Sequence, residues 1–338
     1  MSKVLITGGV GFIGTNSTAY FSENNWYVSV VDNFSREGVE INTHFLAKNY
    51  PEIKIVKTDV ADINSYLQQI KQADLIIHLA GQTAVTKSVN DPQHDFDNNL
   101  VAGIALLEAV RQNNPKAVVL FSSTNKVYGD LAHHKFKKDS FKKRYLDLSA
   151  PKGVSEDERL SFISPYGCSK GALDQYFLDY ARIYGLKTVV FRQSCIYGPH
   201  QMGVEDQGWV AHFSKQILRN QKITIYGDGF QVRDLLFVDD LTKLYLEAYK
   251  QITKVAGQVF NVGGGFENSF SLLEVLDYLA KATYKEPKIS FDLTRIGDQP
   301  FFVSDNFKAK KMLNWQPTTS FRGGLPKLID WQKLNLLK

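Results

Sequence analysis

Cysteine is nearly missing from this 338-residue chain: Cys168 and Cys195 are the only two. Two thiols cannot build a disulfide framework, and their scarcity fits a reducing compartment. No Cys/His run has the spacing of a structural zinc site, so no metal is expected. No apolar run approaches the roughly 20 residues that would span a bilayer. The apolar segment near the N-terminus, Val4 to Ile6, is too short for a secretory signal and runs straight into glycines. These absences point to a cytoplasmic protein with no membrane partner. Internal repeats and low-complexity segments are absent as well.

What is present is an ordinary globular balance, 43% apolar and 22% charged. A net charge of +5 is mild; it does not call for nucleic acid but favours an anionic small molecule. The densest positive stretch, His133 to Arg144, reads first as a solvated loop. Its second reading is a rim that attracts phosphate.

Short β-branched runs alternate with helical spacing through the first half: Val4–Thr7, Tyr27–Asp32, Ile53–Lys57, Leu75–Leu79, Val118–Ser122 and Thr188–Arg192. Apolar strands separated by helices indicate a parallel sheet covered on both faces. The fold class is therefore α/β, a doubly wound (Rossmann) sheet with a smaller, discontinuous α/β domain. Gln258–Val262 reads as a further strand of the large sheet. The dinucleotide domain is expected to take 1–192 plus about 234–262, and the substrate domain about 193–233 plus 263–338.

Gly8, Gly11 and Gly14 follow the first strand and open a helix. Such glycines allow a tight turn, close approach to a pyrophosphate, and close packing of helix on strand. The helix start, with Phe12 and Ile13, offers free N–H groups to the phosphates. Asp32 ends the second strand pattern, about 20 residues on, where a carboxylate binds ribose hydroxyls and repels a 2′-phosphate. NAD is thus expected rather than NADP. Asp59, after the third strand, can meet the adenine amino group, and Leu79-Ala80-Gly81-Gln82 closes the fourth with small residues.

Tyr166 and Lys170 share one face of a predicted helix. An ammonium beside the phenol, together with the nicotinamide cation, lowers its pKa and lets it act as a base at a sugar hydroxyl. Thr124, at the end of the Val118 strand pattern, can share that hydroxyl, with Ser123 as the fallback.

The glycine loop, the hydroxyl-bearing strand end and Tyr-x-x-x-Lys together resemble the extended short-chain dehydrogenase/reductase family over nearly the whole chain. The segments Ser122–Leu131, Ser164–Gly171, Asp206–Val210 and Gln231–Asp234 are similar to members that epimerise nucleotide-linked sugars. The resemblance implies transient oxidation and re-reduction at C2 of a CDP-dideoxyhexose, with Thr124, Tyr166 and Lys170 catalytic. It implies a cofactor set of Gly8, Gly11, Phe12, Ile13, Gly14, Asp32, Asn33, Asp59, Val60, Leu79, Ala80, Gly81, Gln82, Asn99, Ser122, Tyr166 and Lys170. Asn99 would help position the strand-end loop. The substrate set is Thr124, Asn125, Gln193, Gln207, Arg233 and Arg295, with Arg233 on the pyrophosphate. Where relatives read Gly-Asp-Gln-Arg, this chain has Gly297-Asp298-Gln299-Pro300, leaving Arg295 as the nearest substitute. A homodimer or homotetramer is implied too. Three readings stay open beside it: a UDP-hexose 4-epimerase, a 4,6-dehydratase, and a non-catalytic NAD-binding sensor. The dehydratase is disfavoured because such relatives carry Asp-Glu where Asn125-Lys126 stands.

Overall fold

A computed structural model describes residues 1–295 and 297–337. The chain lays down β1 (Lys3–Thr7), β2 (Tyr27–Asp32), β3 (Lys54–Lys57), β4 (Leu75–His78) and β5 (Val118–Thr124). A hairpin of β6 (Phe136–Asp139) and β7 (Arg144–Asp147) follows, then β8 (Lys187–Gln193), β9 (Cys195–Tyr197), β10 (Lys222–Tyr226) and β11 (Val232–Phe237). Last come β12 (Gln258–Val262), β13 (Ser269–Ser271), β14 (Lys288–Asp292) and β15 (Phe301–Phe302). Seven strands pair in the order β12-β8-β5-β4-β1-β2-β3, every neighbour parallel. This is the doubly wound sheet expected from the alternating pattern, and Gln258–Val262 is its edge strand. Its apolar side chains pack into two cores, one on each face. The strand order reverses between β1 and β4, which opens a crevice at their carboxyl ends.

The smaller unit is built on β11, which pairs antiparallel with β13 and parallel with β9 and β15. β10 and β14 form a two-stranded parallel ribbon beside it. The helices Trp209–Leu218, Leu272–Thr283 and Phe321–Leu336 cover this unit and share its core. The division of the chain differs from the expected one in two places. β11 runs to Phe237 within the small sheet, so the return to the large unit begins with the helix Val238–Lys250 rather than near 234. The helix Phe307–Leu313 also leaves the small unit, because Ala309, Leu313 and Trp315 are buried in the large core.

The positive stretch at 133–144 is likewise not a plain loop. It forms much of the β6–β7 hairpin, where Lys138 pairs with Asp228 at 2.8 Å and Arg144 donates to the Ser269 hydroxyl at 3.0 Å. Those partners dock the hairpin on the small unit.

One buried ion pair locks the elements that carry the chemistry. Asp174, fully buried, accepts from Arg192 Nε and Nη2 at 2.9 Å each and from the Ser123 hydroxyl at 2.8 Å. Arg192 also donates to the Tyr128 hydroxyl at 3.0 Å. Removing one charge of such a pair strands the other away from water. Asp174→Asn is therefore expected to destabilise the protein by about 3–5 kcal/mol, read as a lower urea midpoint with unchanged m-value. A loss below about 1 kcal/mol would contradict this account, because surface pairs already reach that size.

Candidate active site

The carboxyl ends of β1, β2, β4, β5 and β8 open into one cavity of about 1420 Å³. Its walls include Gly8, Gly11, Phe12, Ile13, Gly14, Asp32, Asn33, Asp59, Val60, Leu79, Ala80, Gly81, Gln82, Ser122, Tyr166 and Lys170. Thr124, Asn125, Gln193, Gln207, Arg233 and Arg295 line it too. Asn99 is the exception among the residues singled out in the sequence. It is buried behind the wall, donating to Asp95 at 3.0 Å and to the Ser169 hydroxyl at 3.1 Å. Its side-chain oxygen lies under Gly81, so it sets the strand-end loop without reaching the cavity.

At one end the backbone forms an anion cradle. Gly8 adopts φ +71°, and a Cβ there would lie 2.8 Å from the Ala80 nitrogen; one on Gly14 would lie 2.1 Å from the Gly8 oxygen. Only glycine lets this turn sit so tightly against β4. The helix Phe12–Glu23 starts there with no side-chain cap and no acidic residue in its first turn. Its free N–H groups and positive dipole end are left for a phosphate. Asp32 is held at the rim, accepting from the backbone N–H of Phe34 at 2.9 Å and of Val10 at 3.2 Å. Burial raises its pKa, and those N–H bonds together with the Arg36 charge oppose the rise. Asn33 donates to Asp59 at 2.9 Å, which ties the ends of β2 and β3 together. A glycine cradle with a carboxylate at the next strand end fits a dinucleotide with a free 2′-hydroxyl.

Deeper in, β5 brings Thr124 against the helix Ser164–Tyr184, which presents Tyr166 and Lys170. All three are buried. Burial pushes the Tyr166 phenol up to about 12; the Thr124 hydroxyl pulls it down, Asp95 raises it and Arg36 lowers it. Lys170 is brought down to about 7 by burial, against the pull of Asp95 and Asp174. Its ammonium nitrogen lies 4.2 Å from the centre of the Phe121 ring. The sequence reading gave Lys170 the task of lowering the phenol pKa. In the structure burial outweighs every charge, and Arg36 is the cation that opposes it. Ser123 is already committed to Asp174, which leaves Thr124 as the hydroxyl facing Tyr166.

Sequence reasoning passed over Asp95 and Arg36, and it named Lys126 without giving it a place in the site. Asp95 is fully buried and collects Gln82 at 3.0 Å, Asn99 at 3.0 Å and the Ser169 hydroxyl at 2.5 Å. Arg36 reaches across the cavity, donating to Thr83 at 2.7 Å, to the Gly81 carbonyl at 3.2 Å and to Gln207 at 3.1 Å. Lys126 Nζ donates to the Gly297 carbonyl at 3.3 Å and lies 3.7 Å from Asp298. Arg36 was findable as a cation in the loop after Asp32; Asp95 had no local signal.

The far end is cationic. Arg233 and Lys126 converge on Asp298, with Arg233 Nη2 at 2.5 Å from its carboxylate. Burial would raise the Asp298 pKa, but the two cations hold it below the ordinary range. Asn125 donates to Gln299 at 3.3 Å, and Gln193 donates to the Tyr245 hydroxyl at 2.8 Å. Arg295 lies over Tyr226, 3.8 Å from the ring centre, and pairs with Asp206 at 3.2 Å. Pro300 lies outside this cavity, in the wall of a smaller one.

Residues 4–263 match the NAD dependent epimerase/dehydratase family. The chain belongs to that family. It is 41% identical over 336 residues to CDP-paratose 2-epimerase of Salmonella typhi, covering 97% of this chain and 98% of that protein. A UDP-glucose 4-epimerase of Mycolicibacterium smegmatis is 32% identical, with 97% and 98% covered. Among solved structures, UDP-glucose 4-epimerase of Thermotoga maritima with UDP-glucose superimposes at a TM-score of 0.83, with 30% identity and 99% of each chain covered. That of Thermus thermophilus in complex with NAD gives 0.82, at 28% identity and 98% and 99% coverage. This family member is an NAD-dependent nucleotide-sugar epimerase of the extended short-chain dehydrogenase type. Among the described residues no helix is long and apolar enough to cross a membrane.

Proposed function

We propose that this epimerase inverts C2 of a CDP-linked dideoxyhexose, converting CDP-paratose to CDP-tyvelose. The observation that carries the reading is the layout of the cavity. An anion cradle lies at one end, Thr124 and Tyr166 meet at the middle, and Lys126 and Arg233 stand at the other. At about 1420 Å³ it exceeds the 300–1,000 Å³ usual for one ligand, which suits a cofactor and a nucleotide sugar together.

NAD, when bound, supplies a reversible acceptor for the hydride of the reacting carbon. Tyr166, as phenolate, takes the proton of the C2 hydroxyl while Thr124 hydrogen-bonds the same oxygen. The carbon would become a planar ketone able to present its other face, and Tyr166 then returns the proton to the same oxygen. Lys170 would hold the nicotinamide ribose beside Tyr166, while Arg36 opposes the effect of burial on the phenol. Arg233, a fork that matches a diphosphate, exchanges Asp298 for the substrate, with Lys126 beside it and Arg295 stacked on Tyr226 nearby. Asn125, Gln193 and Gln207 supply polar contacts to the sugar nucleotide. Tyr176, Ile183 and Tyr184 leave apolar surface exposed on the Ser164–Tyr184 helix, which supports pairing of copies as a homodimer or homotetramer.

The expected result with CDP-paratose in deuterated water is CDP-tyvelose with no deuterium at C2, read by mass spectrometry. Turnover of UDP-glucose with none of CDP-paratose would overturn the choice of substrate and favour the 4-epimerase, which uses the same residues. Deuterium at C2 would overturn the internal return of hydride.

A further inference from the structure

Away from the catalytic cavity, the β6–β7 hairpin and the segment after it bring together two adjacent imidazoles and a carboxylate. His133 Nε2 lies 3.0 Å from Glu158 Oε1, and His134 Nε2 lies 2.9 Å from Glu158 Oε2. The donor atoms of His133, His134 and Glu158 are all within 4.8 Å of one another. Behind them His134 Nδ1 is 2.6 Å from Asp147 Oδ2. Asp147 is itself anchored, its other oxygen accepting from the backbone of Ser149 at 2.8 Å and Ala150 at 3.2 Å. We propose that His133, His134 and Glu158 bind a divalent transition ion, zinc by preference, with Asp147 orienting His134 from behind.

The placement of the donors carries the argument. Glu158 presents one oxygen to each imidazole, and Asp147 holds the far nitrogen of His134. His133 lies edge-on to His134, ring centres 4.5 Å apart, aimed at the same carboxylate. A divalent ion seated among them would take a lone pair from Nε2 of each imidazole and bind Glu158, while Nδ1–H of His134 stays on Asp147. A carboxylate holding the far nitrogen of a ligating histidine is the usual outer partner of zinc. Two imidazoles and one carboxylate suit zinc, with a fourth position for water. His133 is a third exposed, which gives the ion a way in.

The sequence showed no such site because its histidines are adjacent and its third ligand comes from another loop. A bound ion would tie the hairpin to the segment that leads into the Tyr166 helix.

The test titrates the full-length, NAD-loaded protein, free of any histidine tag, with zinc chloride by calorimetry in two buffers of different ionisation heat. The expected result is saturable binding of one zinc per chain, with the same stoichiometry in both buffers. Cobalt in place of zinc should give the visible spectrum of a four-coordinate ion. His133→Ala removes a ligand from an exposed position and should weaken binding by on the order of tenfold or more, with an unchanged melting temperature. Glu158→Gln should do the same to binding. Absence of saturable binding, or binding that His133→Ala leaves unchanged, would overturn the proposal.

Discussion

Tyr166→Phe is expected to lower kcat by about 10³-fold, within the range for loss of a general base, while KM and NAD content stay near wild type. The substitution removes one oxygen and keeps the buried ring, so folding gives it no reason to fail. Burial holds the phenol at about 12 in the protein alone, too high for a base near neutrality. The positive charge of the oxidised nicotinamide ring must bring it down, as an opposite charge does for any buried acid. Phenolate absorbance should therefore appear at lower pH in NAD-loaded protein than in stripped protein, and this difference should vanish in Tyr166→Phe. Retention of more than a tenth of the activity would remove Tyr166 from its role.

Lys170→Met is expected to lower the rate as well, while leaving stability at pH 7 no worse. Activity should drop by about 10²-fold or more, because the ammonium would no longer hold the cofactor ribose beside Tyr166. The NAD-free variant should nonetheless unfold no more easily than wild type at pH 7. Lys170 titrates near 7 in the folded protein, whereas an unfolded lysine titrates near 10.4. Between those values the unfolded chain holds a proton that the folded one lacks, so this group makes stability rise with pH across that window. At pH 7 and below, the buried ammonium instead opposes folding, and methionine relieves it while filling similar space. Urea unfolding of stripped protein at pH 7 and pH 9 measures both points. Wild type should gain on the variant between them. A variant weaker than wild type by more than about 1 kcal/mol at pH 7, a typical cost for an ordinary substitution, would make Lys170 a structural residue instead.

The large sheet was legible because its strands are buried on both faces. Tyr27–Asp32 and Gln258–Val262 read as short, mostly apolar runs rich in valine and end where the structure ends them. The glycine loop was legible for a similar reason: close packing of helix on strand permits few residues, and those few show in order. The boundary at β11 was not, since Val232–Phe237 is as buried as a strand of the large sheet and differs only in its partners. Asn99 was assigned to the cavity on resemblance, whereas its neighbours Asp95 and Ser169 hold it behind Gly81. Asp95 itself was invisible. A buried carboxylate is recognised by what surrounds it, and Gln82, Asn99 and Ser169 meet it only after three separate segments have folded. The same holds for Asp298, in the loop before β15, on which Arg233 of β11 and Lys126 from just after β5 converge.

Arg36 is rooted beside the cofactor cradle and ends on Gln207, in the loop that opens the helix Trp209–Leu218. Its contacts with Gly81 and Thr83 tie it to the loop that closes β4. One side chain therefore couples three separate segments of the cavity wall. A ligand that displaced it would loosen the wall at the cofactor end and at the substrate end together.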